Sequence, residues 1–320
     1  MTQRDTVDND PQLRRTARDV DESLYDDVDE PLEDEHKIFG LGIPNADSRQ
    51  PAYGQGVVIS LLTAGAVLLL AIISIGSGDG SDPPVLENTD TIFWIIAGLT
   101  LLLAAAGAQF AERTASQAAA AVGQPRSATA MATAWAVPLV STFAAIMLVA
   151  TFHNRTMLVV GPLIAFFGAA GALLSRDLLD EADEQSTRVA SVIHTLVVHA
   201  IAFLAFSAVY LNKLDSWISA PLVGIIGAIL ILETLERGGI APPQRVFYAV
   251  LGGWVIGQSM VALNWWPSYG WTGGAVLLVI FYVAAGLLLV RAQKREVSKR
   301  DLVEFGGVGG VFLLLLAFLA

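Results

Sequence analysis

Residues 55–76 read QGVVISLLTAGAVLLLAIISIG, twenty-two positions without an acid, a base or a histidine. A helix needs roughly 20 apolar residues to cross about 30 Å of hydrocarbon. Only a helix or a closed barrel satisfies its backbone there. The stretch therefore predicts a membrane-spanning helix, and eight more like it follow: 91–111, 131–152, 157–174, 189–211, 218–235, 246–263, 272–290 and 303–319. None of the nine contains Lys, Arg or Asp. Short connections make successive helices antiparallel neighbours. The expected fold is all-α, a polytopic transmembrane bundle of about nine helices over residues 55–320.

Composition agrees. Of 320 residues, 54% are hydrophobic and 15% charged, against about a quarter charged in soluble domains. There is no cysteine, which excludes disulfides, thiolate nucleophiles and Cys-ligated metals. The net charge of -11 argues against nucleic-acid partners, which need a basic surface. Most of that charge sits before the first span. Residues 1–54 hold fourteen acids and six bases, and residues 55–320 sixteen and thirteen. The run from Asp19 to Glu35 has too few apolar residues to offset ordering entropy, so 1–54 is expected to be a disordered acidic tail. It offers a surface to a protein partner. No apolar segment that would mark a secretory signal follows Met1.

With the tail inside, seventeen of the nineteen bases fall on the inner side, and only Arg155 and Lys213 fall outside. This bias predicts a cytoplasmic N-terminus and, with nine helices, an outer C-terminus in the cell membrane. Trp265, Trp266, Tyr269 and Trp271 crowd one predicted outer turn, where amphipathic rings favour the interface. Between spans, 77–90 reads as a flexible acidic outer loop, and 112–130 could extend the second helix as far as Gly123. Residues 176–188 read as a short acidic helix on the inner surface. A faint repeat lays Gly161–Ala169 over Ala220–Ala228 at an offset of 59, with Pro162 matching Pro221. Both prolines are expected in a first turn, whose N–H groups are unpaired. Asn212 and Asn264 close the preceding and following helices in comparable places.

Ionisable groups within a bilayer are costly and are functional candidates by default. They are His194 and His199 in the fifth span, Glu233 near the inner end of the sixth, and Glu304 at the start of the ninth. His194 and His199 point about 140° apart at 100° per residue, so they do not form a two-histidine metal pair. His199 reads as a neutral core histidine, with Gln258 a candidate partner, and both glutamates read as interfacial, within reach of water or of loop bases such as Arg237 and Arg300. No nucleophile elbow, phosphate loop or metal motif is present, so no catalytic residue, cofactor or metal is expected. Small residues at Gly224 with Gly227, Gly252-Gly253 with Gly257, and Gly306 with Gly310 allow close helix approach. Packing within the chain is the expected use, with oligomer formation second. One basic cluster runs from Arg291 to Arg300. Its Lys294, Arg295, Lys299 and Arg300 are candidates for contact with lipid headgroups or the tail.

From Leu263 the chain resembles a family of uncharacterised polytopic membrane proteins of Chloroflexi-type bacteria. Leu263-Asn264-Trp265-Trp266-Pro267, Phe281-Tyr282 with Gly286, and Glu304 carry the resemblance over about 60 residues. It implies a membrane protein without an assigned activity and lends no residue a role. The expected function is a non-catalytic membrane component or interaction protein. The alternative is a carrier of a neutral or lipidic substrate.

Overall fold

A computed structural model describes residues 53–76, 84–87, 91–121, 133–179, 184–266 and 270–319. The tail over 1–52, Tyr269 and the remaining parts of the predicted loops lie outside the described residues. The described residues form helices and no strands: α1 Tyr53–Ser74, a single turn α2 Pro84–Glu87, α3 Thr91–Ala121, α4 Ala136–Phe152, α5 Met157–Leu179, α6 Glu184–Leu211, α7 Ser216–Arg237, α8 Pro242–Asn264, α9 Thr272–Lys294 and α10 Lys299–Leu319. Eight of them are long and apolar enough to cross a membrane. Their outward faces carry large apolar side chains such as Phe110, Leu196, Trp254 and Phe318. A soluble monomer rarely tolerates patches of this extent. The molecule is a multi-pass membrane protein.

The ninth long helix, α4, has only 17 residues, about 26 Å of helix. Its sequence is apolar all round, which marks a buried helix, and thirteen of its residues are buried. Val137, Val140 and Ala144 join a core with α5–α9, while Ala145 to Ala150 join a second with α1, α2, α3, α5 and α6. Sheathed by neighbours, α4 does not have to match the lipid thickness. It begins at Ala136 because residues 133–135 form a turn, later than the predicted start at 131.

Contacts at the helix ends fix the direction of each helix. Ser74, at the end of α1, meets His153, at the end of α4, with Oγ 2.8 Å from Nδ1. Asn212, at the end of α6, donates to Thr151 at 2.9 Å and accepts from the Val85 backbone at 2.8 Å. Asn264, at the end of α8, donates to Ser216 and Ser219 at the start of α7, both at 2.9 Å. The start of α9 stacks Trp271 on Phe152. All these contacts lie at one end, together with exposed Trp217, Trp265 and Trp266. The opposite end gathers Thr133, Arg176, Glu233 and Arg245, and Gln293 of α9 donates there to Gly238 O at 3.2 Å. Successive long helices therefore alternate direction between an aromatic end and a charged end.

Two connections differ from expectation. The described residues of 176–188 belong to the long helices and not to a separate surface helix: α5 runs on to Leu179 and α6 starts at Glu184. Nothing in that acidic stretch breaks a helix, and helices do not stop where hydropathy does. Residues 84–87 of the expected flexible loop are helical, and Val85 is buried. Helix α3 runs past its predicted span, as expected, and is helical to Ala121; residues 122–130 lie outside the described residues. The offset of 59 reappears in the helix starts, Met157 and Ser216. Pro162 and Pro221 thus occupy the sixth position of α5 and α7. That is beyond the first turn, so each removes a helical hydrogen bond instead of filling a vacant site.

Candidate functional site: a buried charge network at one end of the bundle

The end of α7 is built as a Schellman motif. Ile240 N–H donates to Leu235 O and Gly239 N–H to Glu236 O, with Gly239 at φ 74. Only glycine takes that backbone without strain, and Ile240 packs in the core with Leu235. The turn, followed by Pro242 opening α8, aims Glu233, Glu236 and Arg237 into the bundle.

Glu233 lies at the centre and is 1% exposed. Arg176 Nη2, from α5, donates to its two oxygens at 2.7 and 2.6 Å. Arg237, one turn along α7, donates from Nε at 3.2 Å. Thr133 Oγ1, from the turn before α4, donates to Glu233 Oε2 and accepts from Arg176 at 3.1 Å. Arg237 Nη2 also donates to Ser175 Oγ at 3.1 Å, and that hydroxyl donates to Ala172 O at 2.8 Å. His194 of α6 closes the side, with Nδ1 3.5 Å from Ser175 Oγ and Nε2 3.9 Å from Glu233 Oε1. Beside this group Arg245 of α8 pairs with Glu236 at 2.9 Å. Glu112 of α3 is buried as well, and its charge acts on Arg176 and Arg237.

Three glutamates thus balance three arginines, and side chains of α3, α5, α6, α7 and α8 meet in one network. Breaking a buried ion pair by removing one partner typically costs about 3–5 kcal/mol, while exchanging the whole pair for apolar groups is often neutral. Such a network adds little net stability. Among the described residues no three His, Cys, Asp or Glu side chains are grouped to hold a metal ion.

Two of the sequence candidates, Glu233 and His194, come together here. Glu233 does not reach water; it is enclosed, because the bases beside it, the expected Arg237 among them, fold inward with it. His199 stands apart: its ring bonds Thr195 O of its own helix, with Nδ1 at 2.7 Å, and packs against Phe281 and Tyr282. Gln258 is exposed on α8 and makes no bond to His199. Glu304 is exposed, as are Lys294, Arg295, Lys299 and Arg300. Lys294 pairs with Asp301 at 3.1 Å. The sequence reading named Arg237 as a base within reach of Glu233 and missed Arg176, Arg245, Glu236, Glu112 and Thr133. The Glu233–Arg237 spacing of i, i+4 was a usable signal for one pair; the other bases looked like ordinary loop charges.

A second feature lies in the same half of the chain. Helices α8, α9 and α10 enclose an apolar groove of about 520 Å³, with Leu251, Val255, Val283 and Leu287 on its walls and Gly306 and Gly310 on its α10 side.

The sequence pattern of a family described as "Protein of unknown function (DUF5656)" matches residues 80–319. The chain belongs to DUF5656. The DUF5656 match covers every residue of the charge network and the groove, and it leaves out the acidic tail and α1. The family likeness is therefore not confined to the C-terminal third, and nothing in it supports a Chloroflexi origin. No curated protein and no solved structure matches the chain.

Proposed function

We propose that this protein is a non-catalytic component of the cell membrane, with its N-terminus cytoplasmic and its C-terminus outside. Its role is carried by the surfaces it shows to lipid and to other proteins, the acidic tail included. One observation carries the reading. The Glu233 carboxylate, the most enclosed acid among the described residues of the spans, is committed to Arg176, Arg237 and Thr133 of its own chain. An acid that binds protons or ions during transport needs access and a changing partner; this one has a fixed set.

The second reading is a carrier of a lipidic substrate, and the apolar groove favours it. One experiment separates the two. The full chain is reconstituted in vesicles holding a fluorescent phospholipid in one leaflet, and exchange between leaflets is followed. A membrane component leaves exchange at the protein-free rate. Acceleration that disappears in Gly310→Leu, which fills the groove, replaces the first reading with the second.

A further inference from the structure

The groove between α8, α9 and α10 continues into the basic turn, and the two share faces. On α9, Arg291 follows the wall residues Ala284 and Leu287 by seven and four positions, so it lies on their face one to two turns nearer the charged end. On α10, Lys299 precedes Gly306 by seven positions and lies on its face. On α8, Gln244 precedes Leu251 by seven, which adds an amide at the same level. At 1.5 Å per residue these polar groups stand about 6–10 Å beyond the apolar walls. All three are exposed.

The turn that holds the bases is fixed. Arg295 takes the left-handed backbone at φ 62, and its N–H bonds Arg291 O at 3.0 Å. Ser298 and Asp301 form a reciprocal capping box: Asp301 N–H donates to Ser298 Oγ at 3.2 Å, and Ser298 N–H donates to Asp301 Oδ2 at 3.0 Å. Lys294 binds the other Asp301 oxygen. This removes the nearest carboxylate from competition and leaves Arg291, Arg295, Lys299 and Arg300 without an acidic partner among the described residues. The remaining acids nearby are Glu296, exposed in the turn, and Glu304, on the α10 face opposite Gly306.

The groove is also left open by the protein itself. A side-chain carbon built on Gly306 or Gly310 meets nothing within 4 Å, whereas on Gly309 it meets Val283. The expected use of the Gly306–Gly310 pair in packing is therefore wrong; Gly309 makes the α9 contact. Of described helices, α10 packs on α9 alone.

We propose that α8, α9 and α10 seat one anionic phospholipid, with its phosphate on Arg291 and Lys299 and one acyl chain in the groove. The charge complement selects an anion, and the apolar walls directly beneath select an anion that carries a hydrocarbon chain. The acidic tail satisfies only the first condition, because Asp19 to Glu35 offers little to fill an apolar groove. This site is additional to the network reading and does not depend on it.

The test uses the full chain in neutral detergent, titrated with phosphatidylglycerol or with phosphatidylcholine of identical chains. Bound lipid is read by native mass spectrometry and by the shift in Tm. Wild type should bind phosphatidylglycerol at least tenfold more tightly. Arg291→Gln with Lys299→Gln, both on exposed side chains, should weaken phosphatidylglycerol roughly thirty-fold, since each base near the surface contributes about 1 kcal/mol. The same double variant should leave phosphatidylcholine unchanged. Gly310→Leu should weaken both lipids by filling the chain's seat. Equal binding of the two lipids by wild type overturns the proposal, as does full preference retained in the double variant. Inorganic phosphate displacing the lipid at equal concentration would mean an anion site without a chain seat. A wild-type dimer that Gly310→Leu abolishes while lipid binding persists would assign the groove to a second copy.

Discussion

At the residue scale the decisive side chain is Glu233, and its environment sets a measurable coupling. Removing the carboxylate strands Arg176, and removing the guanidinium strands Glu233, each in a site almost without water. We expect Glu233→Gln or Arg176→Gln alone to cost about 3–5 kcal/mol in unfolding of the detergent-solubilised protein. The double variant should cost less than the sum by about 1–3 kcal/mol. Strict additivity would show that the two groups act separately and would dismantle the network as described. Part of this site was legible beforehand. Glu233 and His194 stood out because they interrupt apolar runs. Arg176 and Arg245 did not, because a base at the end of a span has the same sequence signature whether it reaches outward to headgroups or folds inward to an acid. That choice is made by tertiary packing: Glu233 of α7, Arg176 of α5 and the Thr133 turn meet only after α4 has packed against both α5 and α7. His199 misled for the same reason. Its depth was right, but its ring bonds Thr195 O within its own helix and needs no partner across the bundle.

At the scale of elements, hydropathy located all nine long helices, since the bilayer constraint acts on each span alone. It did not show where α5 ends and α6 begins, because a helix crosses a polar stretch at little cost. Nor did it say which glycines are packed. The closest pairing is α7 with α8, where Gly224, Gly253 and Gly257 bring two backbones together. A side-chain carbon on Gly253 would lie 2.4 Å from Gly224 O, and one on Gly257 2.9 Å from Ala220 O. A backbone carbonyl in a helix cannot swing aside as a side chain can. Gly253→Ala should therefore destabilise by roughly 1–3 kcal/mol, the usual cost of overpacking, and Gly253→Val by more or to the point of misfolding. Gly307, by contrast, faces open space on α10, so Gly307→Ala should stabilise by up to about 1 kcal/mol through helix propensity. Thermal unfolding of the variants side by side checks the contrast. Equal effects at both positions would mean that α7 and α8 are not in backbone contact.

At the scale of the molecule, the alternating helices tie together everything about orientation. The charged end holds the Arg291–Arg300 turn and the charge network; Arg155 and Lys213 lie at the aromatic end with Trp217, Trp265 and Trp266. The excess of bases at one end predicts that it faces the cytoplasm, and strict alternation leaves one binary choice for the whole chain. The absence of cysteine makes that choice directly measurable, because any cysteine introduced is the only one present. Trp265→Cys, at a side chain 85% exposed, should react with a membrane-impermeant maleimide on intact cells. Glu296→Cys, in the exposed turn between α9 and α10, should react only after permeabilisation. The reverse pattern would invert the molecule while keeping its fold, and it would bring the proposed phospholipid seat to the outer leaflet. Labelling of both positions from one side would contradict the alternation, since a single crossing, α9, separates them.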